Sequence, residues 1–202
     1  MTTMTQTDSE FDTDNEWRAQ TYALLANLLY RAPDAQLLEA LAALEVTEPD
    51  SPLAASWQAL SESANNTEAQ QLEKEYQQLF IGLIQGELIP YGSYYQTGFL
   101  NEKPLAVLRG DLAKLGLARQ QDSAEPEDHI SAECDVMRLI LTANGVPVVD
   151  DQQFFNRHLK PWASRFFIDL QQAKSASFYQ AVGMLGERFI KMETERLAEK
   201  SH

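Results

Sequence analysis

Residues 75–133 read EYQQLFIGLIQGELIPYGSYYQTGFLNEKPLAVLRGDLAKLGLARQQDSAEPEDHISAE, and this stretch contains the two most informative features of the chain. The first is a cluster of proline and aromatic residues, LIPYGSYY, at positions 88–95. The second is the acidic segment EPEDH at positions 125–129. Neither is needed to close a hydrophobic core. Because loops usually run over the surface, the tyrosines of the first cluster either fold back onto the body or face a partner.

Helical periodicity surrounds both features. Before the aromatic cluster, one stripe at helical spacing predicts a helix from about Thr67; its members are Leu72, Tyr76, Leu79, Phe80 and Leu83. Such a stripe is more often core than binding surface. Between the two features, Asn101 is expected to cap a helix that ends at Gly116. The EPEDH segment is typical of a helix start, because a proline and carboxylates favour the first turn, and this helix is predicted to run to about Ala143.

The remainder of the chain also favours helices, over residues 15–30, 34–44, 51–60, 150–173 with a bend at Pro161, and 175–200. We find no internal repeat and no alternating pattern. The predicted fold class is therefore all-α, a single globular bundle of about eight to ten helices with short connections. Residues 1–13 are polar and acidic and are predicted to form a flexible tail, and residues 14–202 to form the all-α domain.

The chain is strongly acidic, with a formal net charge of −14. The charge is uneven, since residues 1–75 carry 14 acidic and 3 basic side chains. Such a surface repels nucleic acid, which argues against DNA or RNA as a partner. It attracts a basic segment at low salt, although the same charge is also expected of a protein that is simply kept in solution.

The composition predicts a cytoplasmic protein with no stable membrane insertion. The chain has 202 residues and 44% hydrophobic content, enough for one core. No run has the length and apolarity of a membrane span, and the first residues lack the basic and apolar regions of a signal peptide. The single cysteine, Cys134, cannot form an internal disulfide and is expected to be a small buried side chain.

Common catalytic and nucleotide-binding motifs are absent from the sequence. There is no phosphate-binding glycine loop, no pair of cysteines at C-x-x-C spacing, and no pair of histidines at metal-ligand spacing. Ser93 lacks the glycine frame of a nucleophile elbow.

One constellation is still a candidate for chemistry: Glu125, Asp128, His129 and Glu133. His129 and Glu133 lie four residues apart, on one face of the predicted helix, where they could hold a metal or act as acid and base. The competing interpretation is that the carboxylates cap the helix while His129 packs against the aromatic loop. Because these ligands are too few for a site on one helix, no metal site and no catalytic residue is predicted.

The chain resembles the TorD/DmsD/NarJ family of cytoplasmic chaperones for molybdoenzymes over about residues 16–192. Three groups of residues carry the resemblance: Tyr76-Gln77-Gln78-Leu79-Phe80 with Gly82, Pro90-Tyr91-Gly92-Ser93 with Gly98, and Glu125-Pro126-Glu127-Asp128-His129. A later set is also similar to that family: His158-Leu159, Trp162, Phe166 and Phe178-Tyr179. The Y-x-x-L-F helix and the E-P-E-D-H block together are the specific part of the match.

The resemblance implies a helical bundle of the TorD/DmsD type and a non-enzymatic role. Family members bind the twin-arginine leader of a molybdoenzyme precursor, and often the apo-enzyme as well. They hold the precursor in the cytoplasm until molybdenum cofactor is inserted and then release it for export. The resemblance implies no cofactor for the chaperone itself, and it allows weak binding of a guanine nucleotide.

The same resemblance places the leader-binding or client-binding site on residues of the two features and the stripe: Tyr76, Leu79, Phe80, Pro90, Tyr91, Ser93, Glu125, Asp128 and His129. Some relatives have tryptophan in place of Tyr76 and Tyr91, and a second proline in place of Ile89. The client therefore stays open between a formate dehydrogenase, whose chaperones the ELIPYGSYY segment is most similar to, and an S- or N-oxide reductase.

The chemistry of a twin-arginine leader fits these residues. The leader has a basic head and an apolar stretch, so it needs carboxylates beside an aromatic groove. A guanidinium group pairs with carboxylate and stacks on tyrosine. The alternatives are a helical adaptor unrelated to molybdoenzymes, and a hydrolase that uses Asp128 and His129; co-purifying subunits or a turnover lost in His129→Ala would distinguish them.

A polar segment at residues 118–124 is the best internal boundary in the sequence. It has little apolar content to fix it, so it is predicted to act as a hinge. Exchange of the C-terminal half between two chains through this hinge would produce a swapped dimer with the same contacts as the monomer. The expected state is a monomer with a possible domain-swapped dimer.

Overall fold

The computed structural model describes residues 6–82, 85–118, 125–143, 145 and 147–199. All named elements of this part of the chain are helices: α1 (Gln6–Tyr30), α2 (Ala35–Ala42), α3 (Ala54–Asn65), α4 (Ala69–Tyr76), α5 (Gly92–Thr97), α6 (Lys103–Lys114), α7 (Ile130–Leu141), α8 (Asp151–Phe154), α9 (Ala163–Gln172) and α10 (Phe178–Glu199). The all-α prediction and the predicted number of helices are confirmed.

Two of these helices widen at their C-terminal ends. α4 continues as a π-helical turn over Gln77–Ile81, and α8 as another over Phe155–Leu159. Gly82 follows the first turn with φ of 61°, a conformation that glycine adopts at little cost. The predicted long helix over residues 150–173 consists of three pieces in the structure: α8, the π-helical turn after it, and α9. A turn at 160–162 around Pro161 separates the last two.

The core lies between pairs of packed helices, chiefly α1 with α7, α9 with α10, and α2 with α3. Its largest fully buried side chains are mostly aromatic and come from the second half of the chain: Phe154, Phe155, Trp162, Phe166, Phe167, Phe178, Tyr179 and Phe189. Cys134 is fully buried, as predicted. Among the described residues, no helix is both long and apolar enough to span a membrane.

A buried ion pair joins the first and last helices. Arg18 on α1 donates from Nε and Nη2 to the two carboxylate oxygens of Glu193 on α10, each at 2.7 Å. Both side chains are fully buried. Tyr22 donates a further hydrogen bond to Glu193 at 3.0 Å, and Asp151 accepts from Arg18 at 2.9 Å. The sequence analysis did not anticipate this network.

Glu75 fixes the N-terminus of α10 from a distance. Its carboxylate accepts hydrogen bonds from the backbone N–H groups of Ser177, Phe178 and Tyr179, at 2.8, 3.2 and 2.8 Å. These N–H groups have no partner inside the helix, so the carboxylate satisfies them and complements the positive end of the helix dipole. α4, which carries Glu75, is thereby attached to the last helix.

Three sequence predictions are corrected. α1 begins at Gln6, so residues 6–13, predicted as tail, lie in this helix; no proline or glycine occurs before Tyr30 to interrupt it. The predicted aromatic loop contains a short helix, α5. The EPEDH segment is not the first turn of α7, which begins at Ile130 with His129 as its N-cap. Residues 1–5, Leu83 and positions 119–124 of the predicted hinge lie outside the described residues.

Candidate functional site

The aromatic cluster and the EPEDH segment are joined by backbone hydrogen bonds. Gly92 N donates to Asp128 O at 2.8 Å, and Ile130 N donates to Pro90 O at 2.9 Å. Tyr91 and His129 form an antiparallel bridge between these bonds. Two segments about 35 residues apart in sequence thus lie side by side.

Asp128 links the two segments through its side chain. Its Oδ2 accepts a hydrogen bond from Ser93 N at 2.7 Å, which caps the N-terminal turn of α5 rather than α7. The Asp128 side chain is almost fully buried, and its other oxygen, Oδ1, makes no hydrogen bond with the described residues. The Ser93 hydroxyl is also buried without a hydrogen-bond partner there.

Tyr91, His129 and Glu125 form the outer part of the joined segments. The rings of Tyr91 and His129 meet edge to face with centroids 5.1 Å apart, and the Tyr91 hydroxyl donates to the exposed Glu125 carboxylate. Burial, together with this hydrogen bond and the charge of Glu125, raises the pKa of Tyr91. A tyrosine ring beside a carboxylate offers both a stacking surface and a charge for a guanidinium group.

His129 is held in its neutral form. Its Nδ1 accepts from Ser131 N at 3.2 Å, so the proton of the neutral ring is on Nε2. Burial lowers the pKa of His129 from 6.5 to about 4, against the opposing effect of Glu125 and Asp128. A neutral, partly buried histidine supports the interpretation that this ring packs against Tyr91 and caps a helix.

This pKa shift gives a testable dependence of stability on pH. The folded state binds the proton of His129 more weakly than the unfolded state does, so its contribution is fully present above pH 6.5 and is lost as pH falls to about 4. Asparagine can keep the cap without titrating. Urea unfolding of the wild type and of His129→Asn at several pH values measures this contribution. As pH falls from 6.5 to about 4, the wild type should lose more stability than the variant. Parallel curves would contradict the lowered pKa.

The predicted aromatic stripe is divided between core and surface. Leu79 is fully buried, and Tyr76 is buried with its hydroxyl donating to Tyr30 O at 2.7 Å. Burial and nearby acidic groups raise the pKa of Tyr76 to about 12. Phe80 is only partly buried, with its ring 5.4 Å from that of Tyr179. Pro90 is buried. Of the nine predicted site residues, only Phe80, Tyr91, Glu125 and His129 are at least partly exposed.

A cavity of about 330 Å³ lies beside Asp128. It is lined by residues of α5, α6, α7 and the π-helical turn after α8: Gly92, Gln96, Thr97, Lys103, Pro104, Val107, Asp128, Glu133, Arg157 and His158. The sequence analysis weighed Asp128 and Glu133 as candidate site residues and named Gly92 and His158 only as part of the family resemblance. It assigned no site role to the other six lining residues.

Glu133 and Gly92 shape the floor of this cavity. The Glu133 side chain is almost fully buried and its Oε2 accepts from Trp162 Nε1 at 3.2 Å. Burial and then the charge of Asp128 raise the pKa of Glu133 well above its usual value. A Cβ atom at position 92 would lie 3.0 Å from Trp162 Nε1 and 3.2 Å from Glu133 Oε1, so glycine keeps this space open.

Asp111 pairs with two residues of the cavity lining, Arg157 and His158, and with Lys114. Its carboxylate accepts from Arg157 and Lys114 at 2.7 Å each, and lies 2.9 Å from His158 Nε2. Burial works against ionisation, but these hydrogen bonds hold the pKa of Asp111 well below its usual range. Within the described part of the chain, no three His, Cys, Asp or Glu side chains are grouped as metal ligands.

Comparisons with known proteins agree with this architecture. The family model described as "Nitrate reductase delta subunit" matches residues 46–168. The chaperone protein TorD of Aliivibrio fischeri is 29% identical, over 94% of this chain and 99% of its own length. TorD of Vibrio atlanticus is 27% identical, over 91% of this chain and 96% of its own length.

One solved structure has a similar fold. It is a putative redox enzyme maturation protein from Archaeoglobus fulgidus, which matches with a TM-score of 0.56 and 19% identity over 86% of this chain and 93% of that one. The family assignment from the sequence is thereby confirmed: this chain belongs to the nitrate reductase delta subunit family, together with the TorD/DmsD/NarJ chaperones that it resembles.

Proposed function

We propose that this chain, by family a molybdoenzyme maturation chaperone, binds the twin-arginine leader or the apo-form of its client and holds it for molybdenum cofactor insertion. Binding takes place in the cytoplasm, before export. The role is non-enzymatic. The absence of a cofactor and weak guanine nucleotide binding stay as predictions from the resemblance.

The observation that carries this proposal is the surface formed by the joined segments. Tyr91 lies between the Glu125 carboxylate and the His129 ring. Phe80 is partly exposed in the π-helical turn after α4, and Ile81 beside it is 50% exposed. Carboxylate, aromatic ring and aliphatic side chain are the groups that a basic and apolar peptide needs.

Such a surface favours moderate affinity. Each Å² of apolar area that the leader buries contributes about 25 cal/mol, but ordering a flexible peptide opposes this gain. Pairing with Glu125 at an exposed position contributes about 1 kcal/mol or less. A moderate affinity suits a chaperone that has to release its client after cofactor insertion.

Tyr91→Ala and Phe80→Ala are expected to weaken binding of a twin-arginine peptide by about 1–3 kcal/mol each, because both would remove anchoring rings. Isothermal titration calorimetry measures this. Ile168→Ala, which removes a 40% exposed side chain on α9, is the matched control and should bind like the wild type. Circular dichroism must first establish that each variant is folded. Wild-type affinity in both ring variants would place the leader elsewhere.

The client itself is a narrower question, with a formate dehydrogenase and an S- or N-oxide reductase as the two candidates. A pull-down from the native cytoplasm, followed by mass spectrometry, distinguishes them by the catalytic subunit recovered. The family assignment does not favour a helical adaptor unrelated to molybdoenzymes. A hydrolase would require turnover that is lost in His129→Ala.

We also propose that the protein is mostly a monomer that forms a domain-swapped dimer slowly at high concentration, through a hinge at residues 118–124. Exchange has to break the contacts between the two halves, so interconversion should be slow unless mild denaturant is added. Size-exclusion chromatography with light scattering measures this. A single species at every concentration, or a dimer that dissociates within seconds of dilution, would rule out swapping.

A further inference from the structure

The connection between α5 and α6 carries large apolar side chains that the described part of the chain leaves uncovered. Phe99 is 69% exposed and Leu100 is 45% exposed. Val107, on α6, is 40% exposed and lines the cavity together with Pro104. A single exposed apolar side chain is ordinary, but several within one short segment are typical of a binding surface. We call residues 98–107 the apolar turn.

The start of the apolar turn is held in one conformation by its own backbone. Gly98 and Asn101 lie in the left-handed region, with φ of 84° and 59°. The hydroxyl of Thr97 donates to Ser93 O at 2.8 Å and accepts from Phe99 N at 3.2 Å. A turn that is already ordered loses little conformational entropy when a partner binds it, so Phe99 and Leu100 are well placed as contact residues.

The charge around the apolar turn differs from that of the remainder of the chain. Residues 94–118 carry three basic and two acidic side chains, a net charge of +1, whereas residues 1–75 carry 3 basic and 14 acidic ones. Lys103 is exposed, and none of the ion pairs among the described residues includes it. The half-exposed Arg157, which lines the same cavity, shares Asp111 with Lys114.

This charge distribution indicates what kind of partner fits. A basic leader is attracted to the acidic parts of the chain and gains nothing from the positive charge of Lys103. A partner with carboxylates at the edge of an apolar surface is repelled by the acidic parts and meets a complementary charge at the apolar turn. The leader is therefore not the expected occupant.

The apolar turn is joined directly to the proposed leader surface. Tyr91 is the N-cap of α5 and Gly98 is its C-cap. The 6 residues of this helix span about 9 Å, so a precursor whose leader lies at Tyr91 has the protein that follows the leader close to Phe99. Binding at the first surface raises the effective concentration at the second, so two weak contacts act together.

We propose that the apolar turn is a docking surface for the mature part of the client, through an apolar patch of the client that is edged by carboxylates. Phe99 and Leu100 make the apolar contacts, and Lys103 pairs with the carboxylates. The inference rests on the proposed function and deepens it, because it gives the leader and the enzyme body separate places on one chaperone.

The test is a pull-down from the native cytoplasm of cells grown without molybdate, so that the client does not receive its cofactor. Quantitative mass spectrometry measures the recovery of molybdoenzyme catalytic subunits. The double variant Phe99→Ser with Leu100→Ser should recover about tenfold less subunit than the wild type, because it removes the central apolar contacts. Val148→Ser, which changes a 76% exposed side chain outside the apolar turn, is the matched control.

An excess of a synthetic peptide, with an Arg-Arg pair before an apolar segment, separates the two surfaces. Added to the pull-down, it occupies the leader surface; it should leave subunit bound to the wild type and remove the remainder from the double variant. In calorimetry the peptide should bind the double variant and the wild type equally, which also shows that the variant is folded.

The charge of Lys103 is tested in the same pull-down. Lys103→Glu should recover less subunit than the wild type, and the difference should shrink at high salt, since an exposed attraction is screened. Lys191→Glu, which changes an exposed lysine on α10, is the control and should recover as much subunit as the wild type.

The outcomes separate this docking surface from the proposed function. Equal recovery by the wild type and the double variant, or complete release of subunit from the wild type by the peptide, overturns the docking surface and leaves leader binding intact. Weaker peptide binding by the double variant assigns the apolar turn to the leader instead. A wild-type dimer in light scattering that is lost in the double variant assigns it to a second copy of the chain.

Two further results involve the wild type alone. If it binds the peptide but recovers no catalytic subunit, the docking surface is overturned and leader binding stands. If it does neither, the proposed function fails together with the docking surface. Recovery that depends on Phe99 and Leu100, without any peptide binding, supports the docking surface and overturns the leader surface.

Discussion

Replacing Arg18 with methionine is expected to lower the free energy of unfolding by about 3–5 kcal/mol, because it leaves Glu193 buried without its counter-charge. Both carboxylate oxygens of Glu193 accept from Arg18 at 2.7 Å, and both side chains are fully buried. The remaining donor in the network, Tyr22, is neutral and cannot balance the charge. Urea unfolding followed by circular dichroism measures the loss.

The double variant Arg18→Met with Glu193→Met is the informative companion. Removing both charges abolishes the desolvation cost that opposes the ion pair, so the double variant should recover most of the lost stability. Arg138→Met is the surface control: it breaks a half-exposed pair with Asp135 and should change stability by less than about 1 kcal/mol. A single variant that unfolds like the wild type would mean that Glu193 is solvated.

Gly186→Ala is expected to destabilise the protein by about 1–3 kcal/mol or more through overpacking. A Cβ atom on Gly186 of α10 would lie inside van der Waals contact of three ring carbons of Phe167 on α9. Phe167 is fully buried, so its ring has no free space to move into. Thermal or urea unfolding gives the size of the effect.

Gly110 on α6 supplies the opposite control, because, apart from the adjoining helix backbone, no atom of the described residues lies within 4 Å of a Cβ placed there. Gly110→Ala should leave stability unchanged or raise it by up to about 1 kcal/mol, since alanine is the better helix former. Adding Phe167→Leu to Gly186→Ala should relieve part of the clash. If the two glycine variants behave alike, α9 and α10 are not packed as closely as described.

The fold class was predictable because it depends on local pattern. The apolar spacings around Leu28, Leu38 and Leu185 repeat with the helical period, and the structure buries these residues. Helix starts were less predictable. The acids of EPEDH favour any helix N-terminus, but Asp128 caps α5 through Ser93 N while His129 caps α7. The choice between them depends on a contact across 35 residues of sequence.

The candidate site residues were predicted only through the family resemblance, and their role stays a prediction. Spacing alone favoured a core role for the stripe. The structure buries Tyr76 and Leu79, and it packs Phe80 against the core with part of its side chain exposed. The cavity could not be predicted, because its walls come from helices whose packing the sequence does not reveal. The sequence does not show, for example, that Arg157 and His158 are neighbours of Asp111. The structure places them 2.7 Å and 2.9 Å from its carboxylate.

The attachment of Glu75 to the N-terminus of α10 sets an order of events during synthesis. A chain leaves the ribosome from its N-terminus, so α4 is exposed to the cell long before residues 177–179 are made. Until then Glu75 lacks the three backbone N–H groups of α10 that donate to it. Arg18 likewise lacks its partner Glu193, which is also on α10. The surface around Phe80 therefore reaches its final form only after translation is complete. Until the last helix is made, α4 therefore lacks the contacts that attach it to α10.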